Sequence, residues 1–248
     1  MGDDWTLSAS KIKKHERCPK SFEIEYLRGH RNTLAENRYI RRGNVVHDTS
    51  EQAFDAISEF EQATVASWLK YNVEQHDDWD LLVEEDQQHV LSCMDTASRF
   101  LAEHDPVVRG VEVEVEYGVR GVDRAFGGFI DVATDAEVWD WKTGKSKDKE
   151  ADEAVQGAVY MGGYAHEYGE PPEAIRFIYL AESKVRTIEP DDDLWAPMIE
   201  RAQALLTAVE SGEFHADPGP SKCHFCDAEP WCPASPVGGG NIEWSTYP

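Results

Sequence analysis

The spacing of apolar residues changes at Val111, and that change restricts the chain to an α/β architecture. Upstream, apolar positions recur every three to four residues. Thr6-Leu7-Ser8-Ala9-Ser10 supplies hydroxyl caps for a helix predicted to run to about Leu27. Further helices are predicted from Arg41-Arg42-Gly43 to roughly Phe60, over 62–76 and over 84–104, with Trp68, Leu69, Val90, Met94 and Leu101 facing inward. From Val111 the period is two: Val111, Val113, Val115 and Tyr117 alternate with Glu112, Glu114 and Glu116, as in a half-buried strand. Phe126 to Ala133 and Val138 to Lys142 read as the next two strands, joined by the polar turn around Thr134-Asp135-Ala136. An amphipathic helix over Glu153 to Tyr168 follows, then strands over Ile175 to Ala181 and Val185 to Ile188, and a last helix over Asp193 to Ser211. The tail from 216, rich in Pro, Gly and Cys, reads as irregular, with Gly238-Gly239-Gly240 as the only low-complexity stretch.

Composition narrows the function. The 248 residues are 41% hydrophobic, enough for a core and too apolar for whole-chain disorder. The formal charge of −24 is unevenly spread: residues 1–50 hold ten basic against seven acidic side chains, the remainder 14 against 41. Net acidity ordinarily argues against nucleic-acid binding, because phosphate neutralisation supplies most non-specific affinity. Molar salt weakens that argument, since a Debye length of about 3 Å screens self-repulsion and makes acidic surfaces cheap. The charge is therefore read as a halophile signature, the alternative being a protein that binds cations or basic partners. No apolar run approaches the length of a membrane span and no targeting segment is visible, so a cytoplasmic protein is expected. In that reducing compartment, five cysteines suit metal binding or the core better than disulfides.

Chemistry concentrates in Gly128-Phe129-Ile130-Asp131 and Asp140-Trp141-Lys142-Thr143-Gly144. Antiparallel neighbours lie about 4.8 Å apart, so a tight hairpin would bring Asp131 and Asp140 together as a hard-cation site. Lys142, two residues past Asp140, projects from the same face and can meet a water or a phosphate oxygen beside the metal. A hairpin with charges on its wet face is the bland alternative, and other residues must decide. Gln156 and Tyr160 share one helical face, with Tyr164 a turn further on, where an amide and a phenol can orient the lysine or hold a phosphate. Upstream, Gly43-Asn44-Val45-Val46-His47 places an imidazole one helical turn after a glycine, with Glu51 a turn beyond. An imidazole added to two carboxylates makes a mixed N/O site suited to Mn²⁺ as well as Mg²⁺.

Cys223-x2-Cys226-x5-Cys232-Pro233, with Cys18 far upstream, fits either structural zinc or an iron-sulfur cluster. Bonding Cys18 to the tail would close a loop of about 200 residues, restricting the unfolded chain by on the order of 5 kcal/mol. Cys93 sits on the apolar side of a predicted helix and reads as core.

The order Cys18, His47, Asp131, Asp140-Trp141-Lys142, Gln156, Tyr160, Cys223-Cys226-Cys232 resembles the PD-(D/E)XK nuclease superfamily, in particular its RecB-like branch with an iron-sulfur cluster, which includes a CRISPR-associated exonuclease of the Cas-four type. The resemblance implies an αβββαβ core with a mixed central sheet. It divides the chain into N-terminal helices with the first cluster cysteine and the histidine (1–54), a helical region (55–108), the nuclease core (109–212) and an iron-sulfur tail (213–248). It implies that His47, Asp131, Asp140 and the main-chain carbonyl of Trp141 ligate Mg²⁺ or Mn²⁺, that Lys142 activates water or stabilises the pentavalent transition state, and that Gln156 and Tyr160 complete the site. It further implies a [4Fe-4S] cluster on Cys18, Cys223, Cys226 and Cys232 that holds the chain ends together beside the DNA path. Asp at 140 stands where many relatives carry Glu, a change that preserves the carboxylate. The expected activity is metal-dependent exonucleolytic cleavage of single-stranded DNA ends, in CRISPR spacer acquisition or in recombination and repair, with CRISPR integrase proteins or a helicase as partners. The acid-rich surface fits a haloarchaeal or haloviral source. The rival reading is a DNA-end-binding adaptor with an idle nuclease centre. The basic residues Lys11, Lys13, Lys14, Arg17, Lys20, Arg28, Arg31, Arg38, Arg41 and Arg42 would flank the site or form a solvated face, and Trp5, Phe22 and Tyr26 would stack on bases or pack in the core.

Overall fold

The computed structural model describes residues 5–30 and 38–236; Arg31 and Gly238-Gly239-Gly240 lie outside them. The chain divides into two compact units, one from residues 1–35, 118–126 and 195–248, the other from 36–117 and 127–194.

The larger unit is built on a five-stranded sheet in the order β1 (Val108–Tyr117), β2 (Phe126–Thr134), β3 (Glu137–Lys142), β4 (Ala174–Tyr179) and β5 (Lys184–Ile188). β3 pairs antiparallel with β2 and parallel with β4, and β5 returns antiparallel to β4. The sheet is therefore mixed, and the helix Glu150–Tyr168 makes the crossover that a parallel β3–β4 pair requires. Helices Arg38–Ala56, Gln62–Val73 and Glu84–His104 share one apolar cluster with Trp139, Trp141, Val132 and Ile178, which puts alternate residues of β2, β3 and β4 on that face. The opposite face, carrying Asp140, Ile175 and Phe177, meets the crossover helix through Gly157, Tyr160 and Tyr164. A Cβ at Gly163 would stand 2.6 Å from Val115 Cγ2, so only glycine lets the crossover helix approach β1 this closely. Cys93 is fully buried in the cluster, and burial pushes its thiol up to about 12.

The smaller unit corrects one expectation. The helix predicted from Thr6 to Leu27 is broken into Ala9–Arg17, Pro19–Phe22 and a π turn Glu23–Leu27. Cys18 is extended, at φ −166° and ψ 105°, because the following proline disfavours helical geometry in the residue before it. Ser8 caps the first helix by accepting from the Lys11 N–H at 3.3 Å. Phe22 is fully buried against Trp5, Tyr26 and Phe214, so its ring is core rather than a stacking surface. Two further expectations shift: the strand predicted to Ala181 ends at Tyr179 in a 3-10 turn, Leu180–Glu182, and the tail holds a short helix, Pro220–His224. Among the described residues the α-helices are, in order, α1 (Ala9–Arg17), α2 (Pro19–Phe22), α3 (Arg38–Ala56), α4 (Gln62–Val73), α5 (Glu84–His104), α6 (Glu150–Tyr168), α7 (Trp195–Ser211) and α8 (Pro220–His224).

Candidate active site

In six residues β3 supplies both the core beneath it and the charged groups above it. Its tryptophans enter the core beneath α3–α5, which by the two-residue period turns Asp140 and Lys142 toward α6. Asp140 is almost fully buried and Lys142 half-buried, with its Nζ 2.6 Å from Asp140 Oδ2. From α6, Gln156 Nε2 donates to Asp140 Oδ1 at 2.8 Å, Tyr160 OH donates to the same oxygen at 2.6 Å, and Gln156 Oε1 accepts from Lys142 Nζ at 3.2 Å. Four side chains from two elements thus form one closed network around the Asp140 carboxylate. From β2, Asp131 Oδ2 accepts the Trp141 N–H at 3.0 Å, which locks the carboxylate across the strand pair. His47 from α3 brings Nδ1 to 3.4 Å from Asp131 Oδ2 and 3.8 Å from Glu51 Oε1.

The electrostatics follow from this crowding. Burial, reinforced by the neighbouring Asp140 charge, raises the Asp131 carboxyl to about 7. Burial works against a charged His47, but Glu51, Asp131 and Asp140 outweigh it and raise the imidazole to about 9. Burial likewise opposes a charged Lys142, yet Asp140 and Asp131 hold its ammonium above the usual lysine value. The Tyr160 phenol is pushed well up by burial and by the Asp140 and Asp131 charges, so it stays a donor.

Asp131, Asp140, Lys142, Gln156, Tyr160 and His47 are thus brought together in the larger unit. The chemistry of this donor set fits a divalent cation: an imidazole and two buried carboxylates whose mutual repulsion a cation would relieve. No three His, Cys, Asp or Glu side chains among the described residues are already drawn into metal-binding geometry. His47 and Asp131 face one another, while Asp140 is turned onto Lys142, Gln156 and Tyr160. At Trp141 the contact observed is the N–H on Asp131.

Two carboxylates join this neighbourhood without having been singled out from the sequence. Glu153, buried on α6, accepts from Tyr179 OH and pairs with Arg186 at 2.9 Å, and its charge supports Lys142. Its signal was available: Glu153, Gln156 and Tyr160 lie at helical spacing on one face. Glu112 had no such signal: alternation assigned it to the wet face with Glu114 and Glu116, and it is exposed there as they are. The residue takes a left-handed backbone, φ 48°; although it is exposed, partial desolvation first, then the charge of Glu51 and a hydrogen bond shared with it, raise its carboxyl to about 7.

Arg38, Arg41 and Arg42 are held by acids: Arg38 by Asp86 and Glu85, Arg42 by Asp86, Arg41 by Asp78 at 3.9 Å. In the smaller unit Cys18, Cys223, Cys226 and Cys232 are free thiols lining one recess with Lys14, Arg17 and Asp217. Backbone turns fold Cys226 N–H onto the Cys223 carbonyl at 3.1 Å and Cys232 N–H onto that of Glu229 at 3.1 Å. No helix among the described residues is long and apolar enough to cross a membrane.

Among solved structures, one from Eubacterium rectale named "Putative exonuclease" superposes with a TM-score of 0.59 at 14% identity, covering 90% of this chain and 86% of that one. A second, SSO0001, gives a TM-score of 0.45 at 14% identity over 94% of this chain and 89% of that one. No curated protein matches the sequence. Residues 6–233 match the PD-(D/E)XK nuclease superfamily, and with the mixed sheet and its acid–lysine strand the chain belongs to that superfamily.

Proposed function

We propose that this protein is a divalent-metal-dependent deoxyribonuclease that degrades single-stranded DNA from its ends. The observation that carries the reading is the Asp140–Lys142 pair at 2.6 Å, fixed by Gln156 and Tyr160 beside Asp131 and His47. His47, Asp131, Asp140 and the carbonyl of Trp141 are the donors that would hold Mg²⁺ or Mn²⁺. Such an ion supplies a Lewis acid that neutralises charge on the scissile phosphate and lowers the pKa of water. Lys142, kept charged by Asp140, presents a fixed ammonium to the negative charge that accumulates on the pentavalent phosphorus centre. Gln156 and Tyr160 hold Asp140 and Lys142 in register, so neither must reorganise as charge develops. The name of the Eubacterium rectale structure points toward exonuclease action.

The four cysteines are read as ligands of a [4Fe-4S] cluster, supported by their shared recess and by the C-x2-C-x5-C spacing with a distant fourth thiol. Absorbance near 400 nm and iron analysis separate this from zinc.

The test is digestion of 5′- and 3′-labelled single and double strands with Mg²⁺ or Mn²⁺ at high KCl. Wild type should shorten single strands progressively from an end, and Lys142→Ala or Asp131→Asn should lower the rate at least 10²–10³-fold with far-UV CD unchanged. Equal rates in wild type and both variants would refute the site.

A further inference from the structure

Between Lys142 at the end of β3 and Glu150 at the start of α6, the chain reads Thr-Gly-Lys-Ser-Lys-Asp-Lys. This short loop joins the two elements that carry the Asp140–Lys142–Gln156–Tyr160 network. Its middle residue is anchored on all its polar groups. Ser146 is buried, its N–H donates to Glu182 Oε2 at 2.9 Å, its hydroxyl accepts from Lys184 Nζ at 2.9 Å, and its carbonyl accepts from Arg186 at 3.0 Å. The loop's start is also tied, where the Thr143 carbonyl bonds His89 Nε2 at 3.1 Å, and Asp148 turns the chain into α6 with a left-handed φ of 56°.

With Ser146 pinned inward, Lys145, Lys147 and Lys149 are exposed. Lys147 is 85% exposed, with its neighbour Asp148 at 3.9 Å, and Lys149 meets Asp152 at 3.6 Å on an open surface. Such contacts are worth little in water and exchange readily for a phosphate. Three arginines of the same unit contrast with them, since Arg42, Arg176 and Arg186 are committed to buried or half-buried carboxylates. An anchored loop that exposes three ammonium groups is an exception on a chain of net charge −24.

We infer that the Ser146-anchored loop is a phosphate grip, with Lys145, Lys147 and Lys149 binding the nucleic-acid backbone next to the nucleotide being cleaved. The inference rests on the nuclease reading and adds the surface that holds the substrate. Lys145 and Lys147 follow Lys142 by three and five residues, a reach of at most about 11 and 18 Å, which spans the next few phosphates of one strand. Ordering the loop in advance removes part of the entropy that a flexible lysine loop would lose on binding.

The test is binding of a 5′-fluorescein oligonucleotide by anisotropy, with Ca²⁺ in place of the catalytic ion, across the KCl range in which far-UV CD is constant. Wild type is compared with the triple variant Lys145→Gln/Lys147→Gln/Lys149→Gln and with the charge-preserving triple Arg variant. Three lost phosphate contacts should reduce the slope of log K against log[KCl] by about two, with affinity weaker by about tenfold or more at the low-salt end, and the Arg variant should restore both. An unchanged slope and affinity in a triple Gln variant whose CD matches wild type would overturn the grip, while wild-type cleavage with Mn²⁺ in the same preparation would leave the nuclease reading standing. Wild type that neither cuts nor binds DNA would sink both.

Discussion

Asp131 and Asp140 differ in environment although they lie on the same face of the paired strands β2 and β3. Asp140 Oδ1 accepts from Gln156 and Tyr160 while its buried Oδ2 meets only the Lys142 ammonium, whereas Asp131 has one backbone donor and His47. The set was legible because each partner sits at a diagnostic spacing, two along a strand for Asp140 and Lys142 and four along a helix for Gln156 and Tyr160. Glu112 lies on the exposed face that alternation gives it, but its contact with Glu51 was not legible, because a left-handed backbone is invisible to a two-residue alternation. Away from that site, Glu137 on β3 accepts two hydrogen bonds from Arg176 on β4, both 2.6 Å. Burial alone would raise this carboxyl, but Arg176 and the Trp139 indole hold it below its ordinary 4.5. A depressed folded value means stabilisation that is full above the unfolded pKa and lost as pH falls through the folded one. Glu137→Gln should therefore cost about 1–3 kcal/mol at pH 7 and progressively less below pH 4, measured by urea unfolding at both values. An equal loss at both would assign the effect to packing.

At the scale of elements, strands and crossover were predictable from period and length, while ends and breaks were set by contacts remote in sequence. Helix α5 over Glu84–His104 matches the predicted span, with three acidic residues in its first turn and an Asp105 cap at φ 41°. The early helix could not be delimited by periodicity, because Ile12, Phe22 and Tyr26 keep helical spacing across the break that Pro19 imposes. Helix α6 depends on Gly163. Gly163→Ala should destabilise by about 1–3 kcal/mol as the new methyl meets Val115, and the double variant with Val115→Ala should recover part of that loss in thermal melts. Helix α3 is clamped to α5 by Asp86, which is almost wholly buried beneath Arg38 and Arg42. Asp86→Ala leaves those charges without their shared partner and should cost about 3–5 kcal/mol by chemical unfolding. A loss below about 1 kcal/mol would show the clamp to be solvated.

For the whole molecule, charge dominates: −24 on 248 residues repels itself, and salt screens that repulsion. Raising KCl from 0.2 to 2 M should lift the melting temperature by about 5–10 °C, corresponding to about 2–3 kcal/mol of relieved repulsion in a chain of this size. A flat or falling melting temperature would assign the acidity to cation or partner binding. The central claim concerns a smaller distance, that an imidazole from α3 and the acids of β2 and β3 serve one ion. It is tested most directly by soaking crystals in MnCl₂ and measuring anomalous scattering at the manganese edge. The account predicts a single strong peak within bonding distance of His47, Asp131 and Asp140, lost in Asp131→Asn. A peak that omits His47, or none at saturating Mn²⁺, would contradict it.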